Sequence, residues 1–297
     1  MGHDIPHDDQ KRRSVIANPQ RVIIPLTRVA EEKQLKITTW NINGVRFRLE
    51  TLAKVAETIS PDIICLQEIK VTTELFPTDE IAAMGYPYQV VSGMKAYNGV
   101  AILSKKPFQK TGHKDWCGKS DARHVFALLP GNIELHNVYV PAGGDIPDPK
   151  LNDKFDHKLK FLRAMTRWAQ ARQETDARRI LVGDLNIAPL ETDVWSHKQL
   201  SKVVSHSPVE IELLEKLRKS GPWEDAVRQV ILPNERLYSW WSYRSKDWSS
   251  ADKGRRLDHI WVTDPLADAI IEANVLREAR GWGKPSDHAP VTVTLTI

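Results

Sequence analysis

Ile180-Leu181-Val182-Gly183-Asp184-Leu185-Asn186-Ile187-Ala188-Pro189 is the stretch whose reading decides the fold of this chain. Its apolar and β-branched opening reads as a buried strand, and it ends abruptly in a glycine, a carboxylate and an amide. Side chains along a strand alternate with a period of two, so Asp184 and Asn186 are expected on one side, bringing acceptor and donor to one small volume. Pro189, which has no N–H to donate, is expected to stop the ladder. Taken alone, a strand followed by Gly-Asp-x-Asn is more often an ordinary turn with Asx hydrogen bonds than a site. Three more strand ends of the same polar kind change that balance.

Upstream, residues 35–40 read as a first strand running into Asn41-Ile42-Asn43-Gly44, with Arg46 just beyond. Leu49, Leu52, Val55, Ala56 and Ile59 fall at helical spacing, and Ser60-Pro61 ends that helix. Residues 62–68 form a second apolar strand that closes on Glu68. For Glu68 alone, a rim glutamate facing solvent is the commoner outcome. Residues 88–92 and 99–104 read as strands paired across Asn98-Gly99, and residues 125–129 and 133–140 as strands paired across Pro130-Gly131-Asn132. Tyr139 lies at the end of the last of these, where ring packing is the default. Leu151, Phe155, Leu159, Leu162, Met165 and Ala169 mark a long amphipathic helix with an outer face rich in Lys and Arg.

Downstream, Ser207-Pro208-Val209-Glu210 is a capping box that opens a helix to about Lys219. Residues 238–243 alternate aromatic and hydroxyl side chains and include Trp240. The loop at 244–255 follows, with Lys246, Trp248 and Arg255. Basic groups interleaved with aromatics suit a phosphate backbone and stacked bases, and a solvated loop explains them equally well. Residues 256–262, with Leu257 and Asp258 near the start, form another strand. Ser286-Asp287-His288 precedes a terminal strand at 291–297 and also reads as a simple turn capped by His288. Many short strands and few helices imply an α/β protein: two packed, mixed, antiparallel-rich sheets flanked by helices, a four-layered sandwich.

Composition limits the rest. With 297 residues, 41% hydrophobic and 27% charged, the chain has the make-up of a globular protein able to bury a sizeable core. A formal charge of +4 permits a polyanionic partner without demanding one. Two cysteines, Cys65 and Cys117, exclude a disulfide framework and favour a reducing, cytoplasmic setting; Cys65 sits in an apolar run and is expected in the core. No apolar run approaches the roughly 20 residues that cross a bilayer, so no membrane partner is expected. Residues 1–34 carry both signs of charge around one apolar island, Val22-Ile23-Ile24-Pro25-Leu26, and read as an N-terminal extension. Residues 35–297 then form a single domain.

Asn41, Asn43, Glu68, Asp184, Asn186, Asp258, Asp287 and His288 all fall at strand ends or in the turns beside them. If those ends converge, the set is rich in oxygen and has no thiolate, which suits Mg²⁺ or Mn²⁺ rather than zinc or copper. Clustered like charges cost several kcal/mol unless a cation or proton compensates. A hard cation, a water and a base together suit hydrolysis of a phosphoester.

Trp-Asn-Ile-Asn-Gly, Leu-Gln-Glu, Asn-Gly-Val-Ala-Ile, Tyr-Val-Pro, Gly-Asp-Leu-Asn-Ile-Ala-Pro, Arg-Leu-Asp and Lys-Pro-Ser-Asp-His-Ala-Pro-Val occur here in an order that resembles the exonuclease III family of abasic-site endonucleases, bacterial type. That family lies within the endonuclease/exonuclease/phosphatase superfamily, and the match spans residues 36–297. The resemblance implies a monomeric, Mg²⁺-dependent enzyme (Mn²⁺ the alternative) acting on double-stranded DNA. It would cleave 5′ to abasic sites to leave a 3′-hydroxyl, with 3′→5′ exonuclease and 3′-end-cleaning activity. Glu68 would be the principal metal ligand, with Asn41 and Asn43 beside it and Asp287 a further acid. Asp184 would activate the attacking water, and Asn186 would orient that water or the phosphate. Tyr139 and His288 would contact the phosphate, with Asp258 holding the imidazole. Trp240 and Leu257 would line the pocket for a flipped-out abasic sugar, and Trp248 would wedge the helix; Arg46, Lys246 and Arg255 complete the expected DNA surface.

Two positions depart from the family pattern. Asn43 stands where some relatives carry aspartate, and Arg255 where relatives tend to place an apolar or aromatic pocket residue. Two rival functions share these features: a phosphodiesterase of the same fold acting on lipid or inositol phosphates, and a DNA-binding module without catalysis. The aromatic and basic loop argues against the first, and the intact polar set against the second.

Overall fold

The computed structural model describes residues 1–2 and 33–297, and Lys33–Ile297 form one compact unit. The apolar island at 22–26 lies outside the described residues. One sheet opens with β1 (Gln34–Asn41), β2 (Ile63–Gln67), β3 (Tyr88–Ser92) and β4 (Val100–Ser104). A second is built from β5 (Lys110–Gly112), β6 (His124–Leu129), β7 (Ile133–Tyr139), β8 (Arg178–Asp184) and β9 (Trp223–Asp225). After a ribbon of β10 (Trp240–Trp241) and β11 (Gly254–Arg255), β12 (Asp258–Thr263) joins the second sheet. β13 (Ile270–Val275) and β14 (Val291–Thr296) then return to the first. The spatial orders are β13-β14-β1-β2-β4-β3 and β5-β6-β7-β8-β12-β9. Only the central pairs β1/β2 and β7/β8 are parallel.

Alternation along the strands builds the layers. Ile63 and Cys65 of β2 face Ile180 and Val182 of β8 in the core between the sheets, while Ile64 and Leu66 turn outward to Leu52 and Val55 of the helix Leu49–Ile59. On the other side, Leu181 meets Phe155, Leu162 and Met165 of the helix Asp153–Gln170 and Leu214 of the helix Pro208–Lys219. This is the expected four-layered α/β sandwich. Each fully buried aliphatic of this kind contributes about 1.5–3 kcal/mol. Among the described residues no helix is long and apolar enough to cross a membrane.

Several details differ from the sequence reading. β8 ends at Asp184, well before Pro189, because Asn186 adopts a left-handed conformation (φ 55°) that leaves the ladder first. Leu151 precedes its helix and is exposed, and Lys158, three residues after Phe155 and four before Leu162, is fully buried with them. β5, β9 and β13 were not expected; the first two are only three residues long.

Parallel pairing sends β1 and β2 the same way, and β7 and β8 likewise, so Asn41, Gln67, Tyr139 and Asp184 lie at carboxyl ends. Asp258 opens β12 directly opposite Asp184. Gly183 lets β8 approach β7 here: its φ is +142°, and a Cβ would sit 1.8 Å from the Val138 carbonyl oxygen.

Candidate active site

The ends of β1, β2 and β8 run into residues in left-handed conformation: Asn43 (φ 51°), Glu68 (φ 50°), Lys70 (φ 54°) and Asn186 (φ 55°). Such residues cost of order 1 kcal/mol each and persist where surrounding contacts over-determine them. Here they turn polar side chains across the strand ends. Asn186 therefore meets Asp184 through a turn, not through the pleat: its Nδ2 donates to Asp184 Oδ2 (3.1 Å) and to the Val140 carbonyl, and its backbone N–H donates to Asp184 Oδ1 (2.9 Å).

Asn41 joins the two sheets. Its Nδ2 donates to Glu68 Oε1 and to Asp184 Oδ2, both at 2.9 Å. The Tyr139 hydroxyl donates to Glu68 Oε1 (2.7 Å), and Lys70 Nζ lies 2.8 Å from Glu68 Oε2. Lys70 also donates to Asn43 Oδ1 (2.5 Å), whose Nδ2 donates to Asp287 Oδ1 (3.0 Å). The Trp240 indole N–H donates to Asp287 Oδ2 (2.9 Å). On the far side, Asp258 Oδ2 accepts from His288 Nδ1 (2.8 Å) and Ser239 Oγ (2.6 Å), and His288 Nε2 lies 3.7 Å from Asp184 Oδ2. The structure thus brings Asn41, Asn43, Glu68, Tyr139, Asp184, Asn186, Asp258, Asp287 and His288 together.

Burial and neighbouring charge act in opposite directions at these groups. Burial alone lowers the pKa of His288, but the carboxylates of Asp258, Asp184 and Asp287 raise it to about 10. Burial pushes Asp184 up, with His288 opposing and Asp258 and Glu68 assisting, to about 7. At Glu68 burial also pushes upward, yet Lys70 and the hydrogen bonds from Asn41, Lys70 and Tyr139 hold it below its ordinary value. The neighbours therefore favour the charged imidazole at His288 and the carboxylate at Glu68, and burial favours the proton on Asp184.

Asp184, Asp258 and His288 lie close enough to hold a metal among themselves, with ligand atoms within 4.8 Å of one another. A protonated His288 cannot ligate, so we read that trio as an ion triad. Glu68 and Asp287, with the amide oxygens of Asn41 and Asn43, are oxygen donors of the kind that would suit a hard divalent cation.

Outside the centre, Trp240, Leu257 and Arg255 line the cleft that contains Glu68, Asp287 and His288. Arg46 and Lys246 are exposed and make none of these contacts. Trp248, expected as a wedge, is half-buried, with its ring 5.3 Å from that of Trp241.

The model of the endonuclease/exonuclease/phosphatase family matches residues 38–288. This chain belongs to that family. Exodeoxyribonuclease III of Haemophilus influenzae is 30% identical over 269 residues, 86% of this chain and 98% of that protein. An AP endonuclease from Archaeoglobus fulgidus superposes with a TM-score of 0.82 at 32% identity, covering 89% of this chain and all of that one (100%). The 3′ phosphatase NExo from Neisseria, bound to a product DNA hairpin, superposes with a TM-score of 0.80 at 33% identity over 87% of this chain and 98% of that one. With these family members around it, the chain is a hydrolytic nuclease.

Sequence reasoning missed several parts of the site. Lys70 follows Glu68 by two residues and supplies its counter-charge. Ser239 and Ser286 fix Asp258 and the Asn41 carbonyl, and buried Lys158 donates to the Asn186 carbonyl at 2.8 Å. Ser286 lies inside Ser-Asp-His and Ser239 inside the aromatic and hydroxyl stretch at 238–243, while Lys70 and Lys158 lie in no such motif.

Proposed function

We propose that this nuclease is a DNA-repair phosphodiesterase that hydrolyses duplex DNA 5′ to abasic sites, leaving a 3′-hydroxyl, and that also trims blocked 3′ ends. Residues 35–297 are its single catalytic domain, with residues 1–34 an extension. The observation that carries the reading is Asp184: a carboxylate with a pKa near 7, fixed by three hydrogen bonds and 3.7 Å from a protonated His288. A base poised near working pH is best suited to take a proton from water. The named activities of the relatives, an exodeoxyribonuclease, an AP endonuclease and a 3′ phosphatase, support the choice of DNA.

The protein's own groups divide the work. Asp184 accepts the proton of the attacking water. Asn186 has both amide hydrogens committed, one to Val140 and one to Asp184, so it aims the base and leaves the phosphate to others. His288, held by Asp258, donates to a non-bridging phosphate oxygen, while Tyr139 has its hydroxyl proton committed to Glu68 and fixes that carboxylate. Mg²⁺ or Mn²⁺ held by Glu68, Asp287, Asn41 and Asn43 would supply neutralisation of the phosphate charge.

The test is an abasic-analogue duplex and a recessed duplex, each with Mg²⁺, Mn²⁺ or chelator. Metal-dependent nicking immediately 5′ to the abasic position is expected. Failure on both duplexes, with turnover of an inositol phosphate, would transfer the site to the rival phosphodiesterase reading.

A further inference from the structure

Two amides lie between the apolar core and the catalytic groups. Ile37, Cys65 and Leu135 belong to the core between the sheets, and two residues further along the same strands stand Thr39, Gln67 and Asn137. Alternation gives each the same face as its apolar predecessor. All three are fully buried. Gln67 Nε2 donates to Asn137 Oδ1 (2.7 Å), across the gap between the sheets, and to Thr39 Oγ1 (3.0 Å) on β1. Asn137 Nδ2 donates to the carbonyls of Leu66 on β2 and Ala101 on β4, both at 2.9 Å. One asparagine of the second sheet thereby holds β2 and β4 of the first directly, and β1 through Gln67.

The next step along these strands is the active centre. Asn41 follows Thr39 by two residues, Tyr139 follows Asn137 by two, and Glu68 is adjacent to Gln67. The centre is itself split between the sheets. Asn41 and Glu68 come from the first, Tyr139 and Asp184 from the second, joined by Tyr139 Oη to Glu68 Oε1 (2.7 Å) and Asn41 Nδ2 to Asp184 Oδ2 (2.9 Å). Both bonds reach across the gap, so their lengths follow the separation and offset of the two sheets. Apolar contact alone sets that offset loosely, because hydrophobic surfaces of the right volume pack in more than one way. Hydrogen bonds weaken steeply with misalignment, and a buried network of them fixes it. Stability alone does not call for the amides: Gln67 Oε1 is buried and has no partner among the described residues, a cost that leucines in this layer would not carry.

Resting on the function proposed above, we infer that Asn137, acting through Gln67 and the backbone of β2 and β4, is a positioning residue for the hydrolysis. It sets the distance between the half of the centre that holds Glu68 and the half that holds Asp184, and it touches neither substrate nor any reacting atom. A water placed by Asp184 must meet a phosphorus held from the other sheet, and a shift of about 1 Å between the halves costs about 100-fold in rate. Duplex affinity draws on phosphate contacts over a wider surface and changes little.

Asn137→Leu and the double variant Gln67→Met/Asn137→Leu test this beside Leu135→Ala, which opens a cavity two residues earlier on the same face of β7. Each is assayed for kcat and KM on a duplex with an internal tetrahydrofuran abasic analogue, for its denaturant midpoint, and by crystallography. Asn137→Leu strands the Gln67 amide, so midpoint and kcat should both fall, kcat by about 100-fold with KM within about threefold of wild type. The double variant removes both amides, and its midpoint should recover towards wild type while kcat stays low. Leu135→Ala should lower the midpoint yet keep kcat within about threefold of wild type. In crystals of the double variant the Tyr139–Glu68 separation should exceed about 3.5 Å, beyond hydrogen-bond length. A kcat that recovers with the midpoint in the double variant, or a Leu135→Ala protein as slow as Asn137→Leu, overturns the inference. So does a Tyr139–Glu68 bond kept at 2.7 Å in the double variant. If Asn137→Leu does not fold, the double variant decides. Should wild type cleave neither this duplex nor a recessed one, it is the proposed function that fails, and the crystallographic distance still judges the role of Asn137.

Discussion

Lys158 is the residue whose replacement should do the most damage for the least change in shape. It projects from the helix Asp153–Gln170 into a fully buried position. Its ammonium donates to the carbonyls of Asn186 (2.8 Å) and Ala142 (3.2 Å) and lies 2.5 Å from Glu210 Oε1. Glu210 in turn accepts from the N–H groups of Ser205 and Ser207 and from Ser207 Oγ. Burial disfavours the charged lysine, and Glu210 pushes its pKa back up. One ammonium thus joins the turn after β8, the loop after β7 and the loop that anchors Arg255. Lys158→Met conserves much of the volume but strands a buried carboxylate and two carbonyls, a loss of about 3–5 kcal/mol. Total stability of a domain is about 5–15 kcal/mol, so the variant should still fold. Denaturant unfolding should show the loss as a lowered midpoint. Adding Glu210→Gln should restore about half, because no buried charge is then left alone. Turnover should fall about 100-fold through misplacement of Asn186 and Asp184. A Lys158→Met protein within about 1 kcal/mol of wild type and with normal turnover would refute the reasoning, whatever the distances.

Three further outcomes are expected. Asp184→Asn should lose about 10²–10⁴ in turnover on an abasic duplex while DNA affinity in a gel shift stays near wild type; cleavage at the wild-type rate would remove Asp184 from the role of base. Gly183→Ala should cost several kcal/mol or abolish soluble expression, since its Cβ would enter the β7–β8 pair at the Val138 carbonyl; a thermal midpoint within a few degrees of wild type would mean the strands can part there. Buried His259 is held neutral, chiefly by burial, with its pKa lowered from 6.5 to about 3. The unfolded chain therefore binds the proton first as pH falls, and stability present above pH 6.5 is lost progressively towards pH 3. Between pH 7 and pH 5 this one group should cost about 2 kcal/mol, read as a shift in denaturant midpoint that His259→Gln flattens.

What the sequence revealed and concealed follows from how far each signal reaches. β8 and the helix Leu49–Ile59 were legible because apolar periodicity is a local property, and their burial required only that pattern. The polar ends were legible as residues but not as geometry. Asp184 and Asn186 were expected to converge by strand alternation, whereas a left-handed Asn186 folds back on its neighbour. β9 escaped because three residues cannot show a period, and β13 because, as an edge strand, it leaves Ile271 exposed. Lys70 and Lys158 escaped for another reason. A long cationic side chain on a helix or in a turn is solvated by default, and only the three-dimensional position of Glu68 or Glu210 turns it inward.

Asn43 brings these strands of argument to one atom set. Carboxylates at Glu68, Asp184, Asp258 and Asp287 share one site, with Lys70 and His288 as the cations beside them and Lys158 and Arg280 acting at longer range on Asp184 and Asp287. Each acid nevertheless has a partner that keeps it ionised or placed: Lys70 for Glu68, His288 for Asp258 and Asp184, Trp240 and Asn43 for Asp287. An aspartate at position 43 would add a fifth negative charge and could only accept. Asparagine accepts from Lys70 through Oδ1 and donates to Asp287 through Nδ2, so one side chain couples the cation on Glu68 to the acid across the cleft. Asparagine is also the residue that best tolerates the left-handed backbone there, apart from glycine, at φ 51°. Asn43 is therefore a direct hydrogen-bonded link between the Lys70–Glu68 pair and Asp287.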